Sequence, residues 1–336
     1  MTDRIAPFLA RHGLGGVARR PLAGDASARR YERLKTPDGR PLILVDTPAP
    51  KDDLAPFIAI GDALARLGFS VPVVIAADVD AGLGLLEDFG DGTFSRLLEA
   101  GEDAEGLYAL ATDVLVELHR RFDPQEAAGL GLPVYDAALF VEQVMLFADV
   151  YLPVATGRPL EPADRAALEQ AWRAVIGDAC AGRPSLLLRD YHVDNLMRLD
   201  RPGVAAAGLL DFQNAGLGPT AYDLVSLLED ARRDVPTELA ARMVERYVSA
   251  FPGLDRAAFR RSYAVLGAVR HARIVGIFTR LALRDRKRAY LVHLPRVWRL
   301  LEGQLAKSEL APVAAWFDRH LPPNLRADFV IPETEL

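Results

Sequence analysis

The sequence has one cysteine, Cys180. That excludes an intramolecular disulfide framework and suits a reducing compartment; Cys180 itself reads as a core residue and not a reactive thiol. There is no excess of positive charge. Lysine and arginine total 40 against 46 aspartates and glutamates, the net charge is -6 and the pI is about 5.6. The whole-chain electrostatic footprint of a nucleic-acid-binding protein is therefore lacking. No apolar run is expected to reach membrane-spanning length. The opening residues MTDRIAPFLARHG carry a short apolar stretch without a small-residue cleavage site, so no signal peptide is expected. Repeats and low-complexity segments are also missing. These absences point to a cytoplasmic protein without nucleic-acid or membrane partners. What is present is a globular composition, half of it hydrophobic over 336 residues, enough for one large domain or two lobes.

The pattern of the first ninety residues differs from the rest. A short helix over Asp3–His12 stops at Gly13, and Val17–Ala23, Ala28–Lys35 and Pro41–Asp46 read as strands separated by turns. The spacing of Leu54, Phe57, Ile58, Leu64 and Leu67 predicts a helix over Asp52–Leu67, followed by strands at Val71–Ala77 and Leu83–Glu87. After Gly90, helical periodicity dominates: Ala104–Arg121, Asp136–Ala155, Pro162–Ala181, Pro236–Phe251 and Ala257–Leu283. One patch, Leu186–Phe212, interrupts it with brief apolar runs separated by polar residues.

That patch holds the chemistry. Leu188-Arg189-Asp190-Tyr191-His192-Val193-Asp194-Asn195-Leu196 places an aspartate and an asparagine five apart between apolar runs. Phosphoryl transfer uses such a pair: the aspartate accepts or orients the proton of the attacking hydroxyl, and the asparagine oxygen helps hold magnesium. In Gly208-Leu209-Leu210-Asp211-Phe212-Gln213 an aspartate follows an apolar strand, where it can project toward a metal bridging nucleotide phosphates. Gly218-Pro219-Thr220-Ala221-Tyr222-Asp223-Leu224 is a turn leading into a helix, with Asp223 near the helix start, where a carboxylate is favoured. Each piece alone fits an ordinary cap or loop acid; their order and spacing together give them weight.

In this context Asp190, Asn195, Asp211 and Asp223 resemble the aminoglycoside phosphotransferase and choline kinase superfamily. Its usual motif runs histidine-glycine-aspartate-leucine-histidine-proline-glycine-asparagine. Asp190, His192 and Asn195 match it, whereas Leu188 and Arg189 stand where the first histidine and the glycine would be. Asp211-Phe212 and Tyr222-Asp223-Leu224 match the later motif. The resemblance implies an α+β, bilobal protein-kinase-like fold, with a small antiparallel-sheet lobe and a large, mainly helical lobe. Residues 1–88 would form the N-terminal nucleotide-binding lobe and 89–336 the C-terminal catalytic and substrate lobe. It implies ATP and Mg2+ as cofactors, Asp190 as catalytic base, Asn195 and Asp211 as metal ligands, and Asp223 as a structural tie to the catalytic loop. His192 would order that loop and, with Arg189, is a candidate substrate contact.

The N-terminal part departs further from the superfamily. Gly24-Asp25-Ala26-Ser27-Ala28-Arg29-Arg30-Tyr31 occupies the place of the phosphate-covering hairpin, where Gly24 and Ser27 allow backbone N–H groups near phosphate oxygens. The strand Leu42-Ile43-Leu44-Val45-Asp46-Thr47-Pro48 lacks the phosphate-binding lysine; Val45 or Asp46 stands about where it would be. Arg29 and Arg30 are candidates to replace it, because alternate strand residues face opposite sides; Lys51 is a weaker one. Leu85–Gly90 resembles the superfamily's hinge, where backbone groups of Glu87 and Phe89 would pair with adenine, while the side chains of Glu87 and Asp88 read as solvated loop acids.

Four of these features together narrow the resemblance: the lysine-less strand, the Gly24–Tyr31 hairpin, the helix Arg270–Phe278, and the tail Arg284–Leu291 with Leu294-Pro295-Arg296. They are similar to the bacterial anomeric N-acetylmuramate and N-acetylglucosamine kinases of peptidoglycan recycling in the cell wall. The implied activity is transfer of phosphate to the anomeric (C1) hydroxyl of a small amino sugar. An anomeric hydroxyl is more acidic than an ordinary alcohol, so one aspartate suffices as base, and a lactyl carboxylate favours a nearby arginine. Arg270, His271 and Glu142 are candidate sugar contacts. Two other readings stay open: a kinase for another small hydroxyl compound of aminoglycoside, choline or homoserine type, and a nucleotide-binding pseudokinase module.

Overall fold

A computed structural model describes residues 4–22, 29–47, 54–327 and 329–331. The elements run in chain order from helix α1 (Ile5–Arg11) through strands β1 (Arg19–Pro21), β2 (Arg30–Lys35) and β3 (Pro41–Asp46) to helix α2 (Leu54–Arg66). Strands β4 (Val74–Asp78) and β5 (Leu83–Glu87) and helices α3 (Phe94–Glu99), α4 (Ala104–Arg121), α5 (Ala137–Val144), α6 (Leu152–Thr156) and α7 (Pro162–Ala179) follow. Four short strands come next, β6 (Pro184–Leu187), β7 (Leu196–Arg198), β8 (Ala207–Leu209) and β9 (Gly216–Pro219). The chain ends in helices α8 (Ala221–Leu228), α9 (Thr237–Ser249), α10 (Arg256–Leu283), α11 (Leu294–Leu305) and α12 (Ala311–His320). Packing groups them into two compact units, one of residues 1–121, 128–131 and 193–215, the other of 122–127, 132–192 and 216–336.

The first unit is built on an antiparallel sheet of order β1-β2-β3-β5-β4. Strand alternation sorts its side chains between two faces. Leu34, Leu42, Leu44, Leu83 and Leu85 pack with Phe8 and Leu9 of α1, while Val45 and Leu86 pack with Leu54, Phe57 and Ile58 of α2. The hairpin β7–β8 joins this unit through its backbone: Arg198 N–H donates to Gly92 O at 2.8 Å, and Leu209 N–H to Ser70 O at 2.8 Å.

The second unit surrounds α10, whose 28 residues are buried along most of their length. The segment Ala137–Thr156 is long and apolar enough, by length and composition, to cross a membrane, with mean hydropathy 1.5; the sequence reading did not expect such a run. Here its buried Phe140, Val144, Phe147 and Tyr151 are core residues. A π turn at Phe147–Tyr151 interrupts the expected single helix. At Gly276 in α10 a Cβ atom would lie 2.9 Å from the Leu146 carbonyl carbon, so glycine permits the close approach to the start of that turn. Cys180 is half-buried at the end of α7, where burial pushes its thiol up to about 11, in keeping with an unreactive thiol.

Gly218 and Pro219, expected to open the turn leading into a helix, instead belong to strand β9, paired with β6 in the register Leu187↔Gly216 and Ser185↔Gly218. Its glycines hid it. A Cβ at Gly216 would sit 2.4 Å from the Tyr135 ring, so the residue that weakens the strand pattern also admits the aromatic ring against the backbone.

Candidate active site

In the second unit, β6 runs directly into Leu188, Arg189 and Asp190. The fully buried Asp223, in the first turn of α8, accepts the N–H of Leu188 on one carboxylate oxygen at 2.6 Å and that of Arg189 on the other at 2.8 Å. Burial pushes its carboxyl up to about 7, against the pull of those two bonds, and the charge of Asp190 adds to the rise. Arg189 has φ 70°, the left-handed region where the superfamily motif has glycine. Its carbonyl accepts from Ser226 Oγ at 3.2 Å, and its guanidinium lies 4.7 Å from the centroid of the Tyr135 ring. Asp190 is half-buried beside this clamp. His192 is buried, with Arg232 Nη1 3.4 Å from its Nε2. Arg232 was missed by sequence reasoning: 40 residues separate it from His192, and no local pattern links them.

In the first unit, the register of β7–β8 sets Leu196 opposite Leu209. One step beyond, Leu210 N–H donates to Asn195 O at 3.0 Å, so Asn195 lies beside the Leu210–Asp211 corner. Asp211 has φ 57°. Its Oδ1 accepts from Arg29 Nη2 and from Gln213 Nε2, each at 2.8 Å.

Asn195, Asp211 and Arg29 line a cavity of about 350 Å³ in the same unit. Much of the remaining wall is apolar, with Ile43, Phe57, Leu86, Met197 and Leu210, and the segment Glu87–Gly90 forms one rim. Small-ligand sites have this make-up, an apolar slot with a few polar groups at one end. Gly208 leaves room for the Phe89 ring, 2.7 Å from where a Cβ would stand. Arg201 spans the rim, with Nη2 2.6 Å from Glu87 Oε1 and its guanidinium 5.3 Å from the Phe89 centroid. The side chains of Glu87 and Asp88 are therefore not the solvated acids expected. Asp88 is only 3% exposed at its side chain and pairs with Arg33 Nε at 2.5 Å; both acids are held by arginines distant in sequence, which local pattern cannot reveal.

Among the described residues no cluster of three or more histidines, cysteines, aspartates or glutamates could hold a metal. The donor set at the cavity still fits Mg2+, which commonly takes one or two protein oxygens and completes its shell with water and substrate phosphates. Asp211 supplies a carboxylate and Asn195 an amide oxygen.

Other expectations fall elsewhere. Gly24, Ser27 and Lys51 lie outside the described residues. Arg30 is exposed on β2 and pairs in register with Asp46. Glu142 is exposed on α5. His271 is fully buried, its Nε2 2.6 Å from Glu229 Oε2, which corrects the expectation of a sugar contact: the imidazole belongs to the interior of the second unit. Arg270 is also buried and donates to Glu229 O at 3.1 Å. Gln304 completes this buried group with bonds of 2.7 and 2.8 Å to the Glu229 carboxylate.

Residues 18–260 match the family described as APH, phosphotransferase enzyme family. A protein from Caulobacter vibrioides named N-acetylmuramate/N-acetylglucosamine kinase is 38% identical, over 96% of this chain and 97% of its own. One of the same name from Pseudomonas aeruginosa is 34% identical, over 85% of this chain and 83% of its own. Among solved structures, an ADP-bound aminoglycoside phosphotransferase is similar with a TM-score of 0.62 at 14% identity, covering 93% of this chain and 99% of that one. A macrolide 2'-phosphotransferase from Brachybacterium faecium gives 0.57 at 18%, covering 88% and 97%. These two likenesses speak for the fold, which is the α+β, kinase-like fold expected.

Proposed function

The chain belongs to the phosphotransferase enzyme family, and from that premise we propose that it is an ATP- and Mg2+-dependent sugar kinase acting on the anomeric (C1) hydroxyl of N-acetylmuramate, N-acetylglucosamine or both. The near-full-length similarity to kinases of that name carries the reading. Peptidoglycan recycling in the cytoplasm is the setting that follows from such a substrate. The functional division is a nucleotide-binding lobe over 1–88 and a catalytic and substrate lobe over 89–336.

In this reading the apolar slot between Ile43, Leu86 and Met197 takes the adenine, and backbone groups of Glu87 and Phe89 pair with its edge. Asn195 and Asp211 would hold Mg2+, which when bound neutralises charge on the phosphates. Arg29 supplies positive charge to the cavity beside Asp211. Asp190 accepts the proton of the C1 hydroxyl as that oxygen attacks the γ-phosphorus and ADP departs. Asp223 holds the loop that carries Asp190 through the two N–H bonds it accepts.

An ADP-release assay over N-acetylmuramate, N-acetylglucosamine, an aminoglycoside, choline and homoserine tests the proposal. Turnover is expected only with the amino sugars, with the phosphate on C1 by phosphorus NMR. Turnover confined to any of the other three compounds would overturn it.

A further inference from the structure

We propose that Arg29 takes the part of the absent strand lysine as a nucleotide-phosphate ligand, and that its ion pair with Asp211 is a lock that phosphate opens. The inference rests on the kinase reading and adds to it a coupling between phosphate and metal.

The strand that would carry a lysine offers no cation to the cavity. Val45 is core, packed with Leu54 and Leu86. Asp46 is buried and ion-paired with Arg4. Two arginines are among the described residues lining the cavity, Arg29 and Arg33. Arg33 is held by Asp88 at 2.5 Å and Asp91 at 2.9 Å, and both acids raise its already high pKa. Arg29 is placed against Asp211 instead. Its side chain is 10% exposed, and Nη2 lies 2.8 Å from Asp211 Oδ1, the oxygen that Gln213 Nε2 also reaches.

A guanidinium carries its charge at any relevant pH and binds phosphate in the same forked manner as carboxylate. A cation and a metal ion compete for one carboxylate oxygen. Phosphate gives Arg29 another acceptor within the same cavity, and moving to it removes the competing cation from Asp211 Oδ1, leaving there the neutral amide of Gln213. Phosphate oxygens are also the natural co-ligands of Mg2+, so the two events favour each other. Arg30, exposed on β2, has no equivalent placement.

The test is calorimetry of ATP binding in EDTA, with adenosine as the uncharged control, on the wild type and on Arg29→Ala, Asp211→Asn and the double variant. Asparagine tolerates the left-handed φ at position 211, and Arg29→Lys and circular dichroism guard against misfolding. Metal-free ATP affinity is expected to fall about 10- to 100-fold in Arg29→Ala, the worth of a charged hydrogen bond, with adenosine unchanged and partial recovery in Arg29→Lys. Asp211→Asn is expected to bind metal-free ATP more tightly than the wild type, and the double variant to lose that gain. Equal affinities in wild type and Arg29→Ala would overturn the phosphate role. No gain in Asp211→Asn, including no metal-free binding in either protein, would overturn the lock. Failure of adenosine and of ATP with Mg2+ to bind the wild type would instead sink the kinase reading, and this inference with it.

Discussion

Asp223 Oδ1 accepts the backbone N–H of Arg189 at 2.8 Å, and Arg189 has φ 70°. A non-glycine residue in the left-handed region costs about 1–2 kcal/mol, so the position persists because its surroundings over-determine it. Here the surroundings are Asp223 on the N–H, Ser226 on the carbonyl and Tyr135 under the guanidinium. Asp190 is the next residue along the chain, so the strain and the clamp adjoin the proposed base.

Asp223→Ala should therefore lose both stability and activity. It leaves the Leu188 and Arg189 N–H groups without their acceptor, at about 1–3 kcal/mol for each buried group left unpaired. The melting temperature should fall by several degrees, and kcat should fall more than ATP affinity. Arg189→Gly, which relieves the backbone strain, should retain much of the stability. A destabilised Asp223→Ala protein that keeps full kcat at low temperature would show that the clamp does not position the base.

Asp190→Asn should keep the fold and ATP binding and lose about 10²–10⁴-fold in kcat, the usual worth of general-base catalysis. Single-turnover kinetics at saturating ATP and sugar measures it. Near-normal turnover would remove Asp190 from the role.

The buried group around Glu229 predicts loss of stability in acid. Burial pushes the His271 imidazole below 6.5, against the opposing pull of Glu229, so folding holds it neutral. Burial also opposes ionisation of Glu229, but the hydrogen bonds from His271 and Gln304 and the charge of Lys307 outweigh it and keep this carboxyl below 4.5. In both cases the unfolded chain binds the proton more readily than the folded one, so stability falls as pH falls. The His271 contribution starts to be lost below pH 6.5 and that of Glu229 below 4.5. Asp223 has the opposite sign: its raised pKa makes the folded protein lose stability as pH rises from 3.8 to about 7. The His271 part is isolated by melting wild type and His271→Gln in parallel from pH 8 to pH 5. The wild type should lose more stability over that range than the variant; equal slopes would show that His271 is not held neutral.

What could be read in the sequence follows from range. Strands β3 and β5 are short, mostly apolar runs and α10 is a long segment of helical periodicity; each pattern is local, so each was legible. Asp190, Asn195, Asp211 and Asp223 were legible as candidates because phosphoryl transfer restricts the residue types and their order. The Arg201–Glu87, Arg232–His192 and His271–Glu229 contacts were not, since they span 114, 40 and 42 residues and leave no periodic trace. Strand β9 was hidden by the glycines that let Tyr135 approach its backbone. Likewise, the alternation of Arg29 and Arg30 showed that one should face the cavity, and only the fold distinguishes which.

The acceptor atom provides the sharpest test of the proposed reaction. If Asp190 takes a proton from the C1 hydroxyl, the methyl glycosides of N-acetylmuramate and N-acetylglucosamine should be inert. Their anomeric oxygen has no proton to give, and the methyl group lies where the γ-phosphorus must approach. A kinase acting on the 6-hydroxyl would accept the same glycosides. With free sugars as substrates, phosphorus NMR should show a glycosyl phosphate whose signal is coupled to the anomeric proton. A primary phosphate ester would couple to the two protons on C6 instead. Turnover of a methyl glycoside, or phosphate found on C6, would reject the anomeric assignment while leaving ATP-dependent phosphoryl transfer by this chain in place.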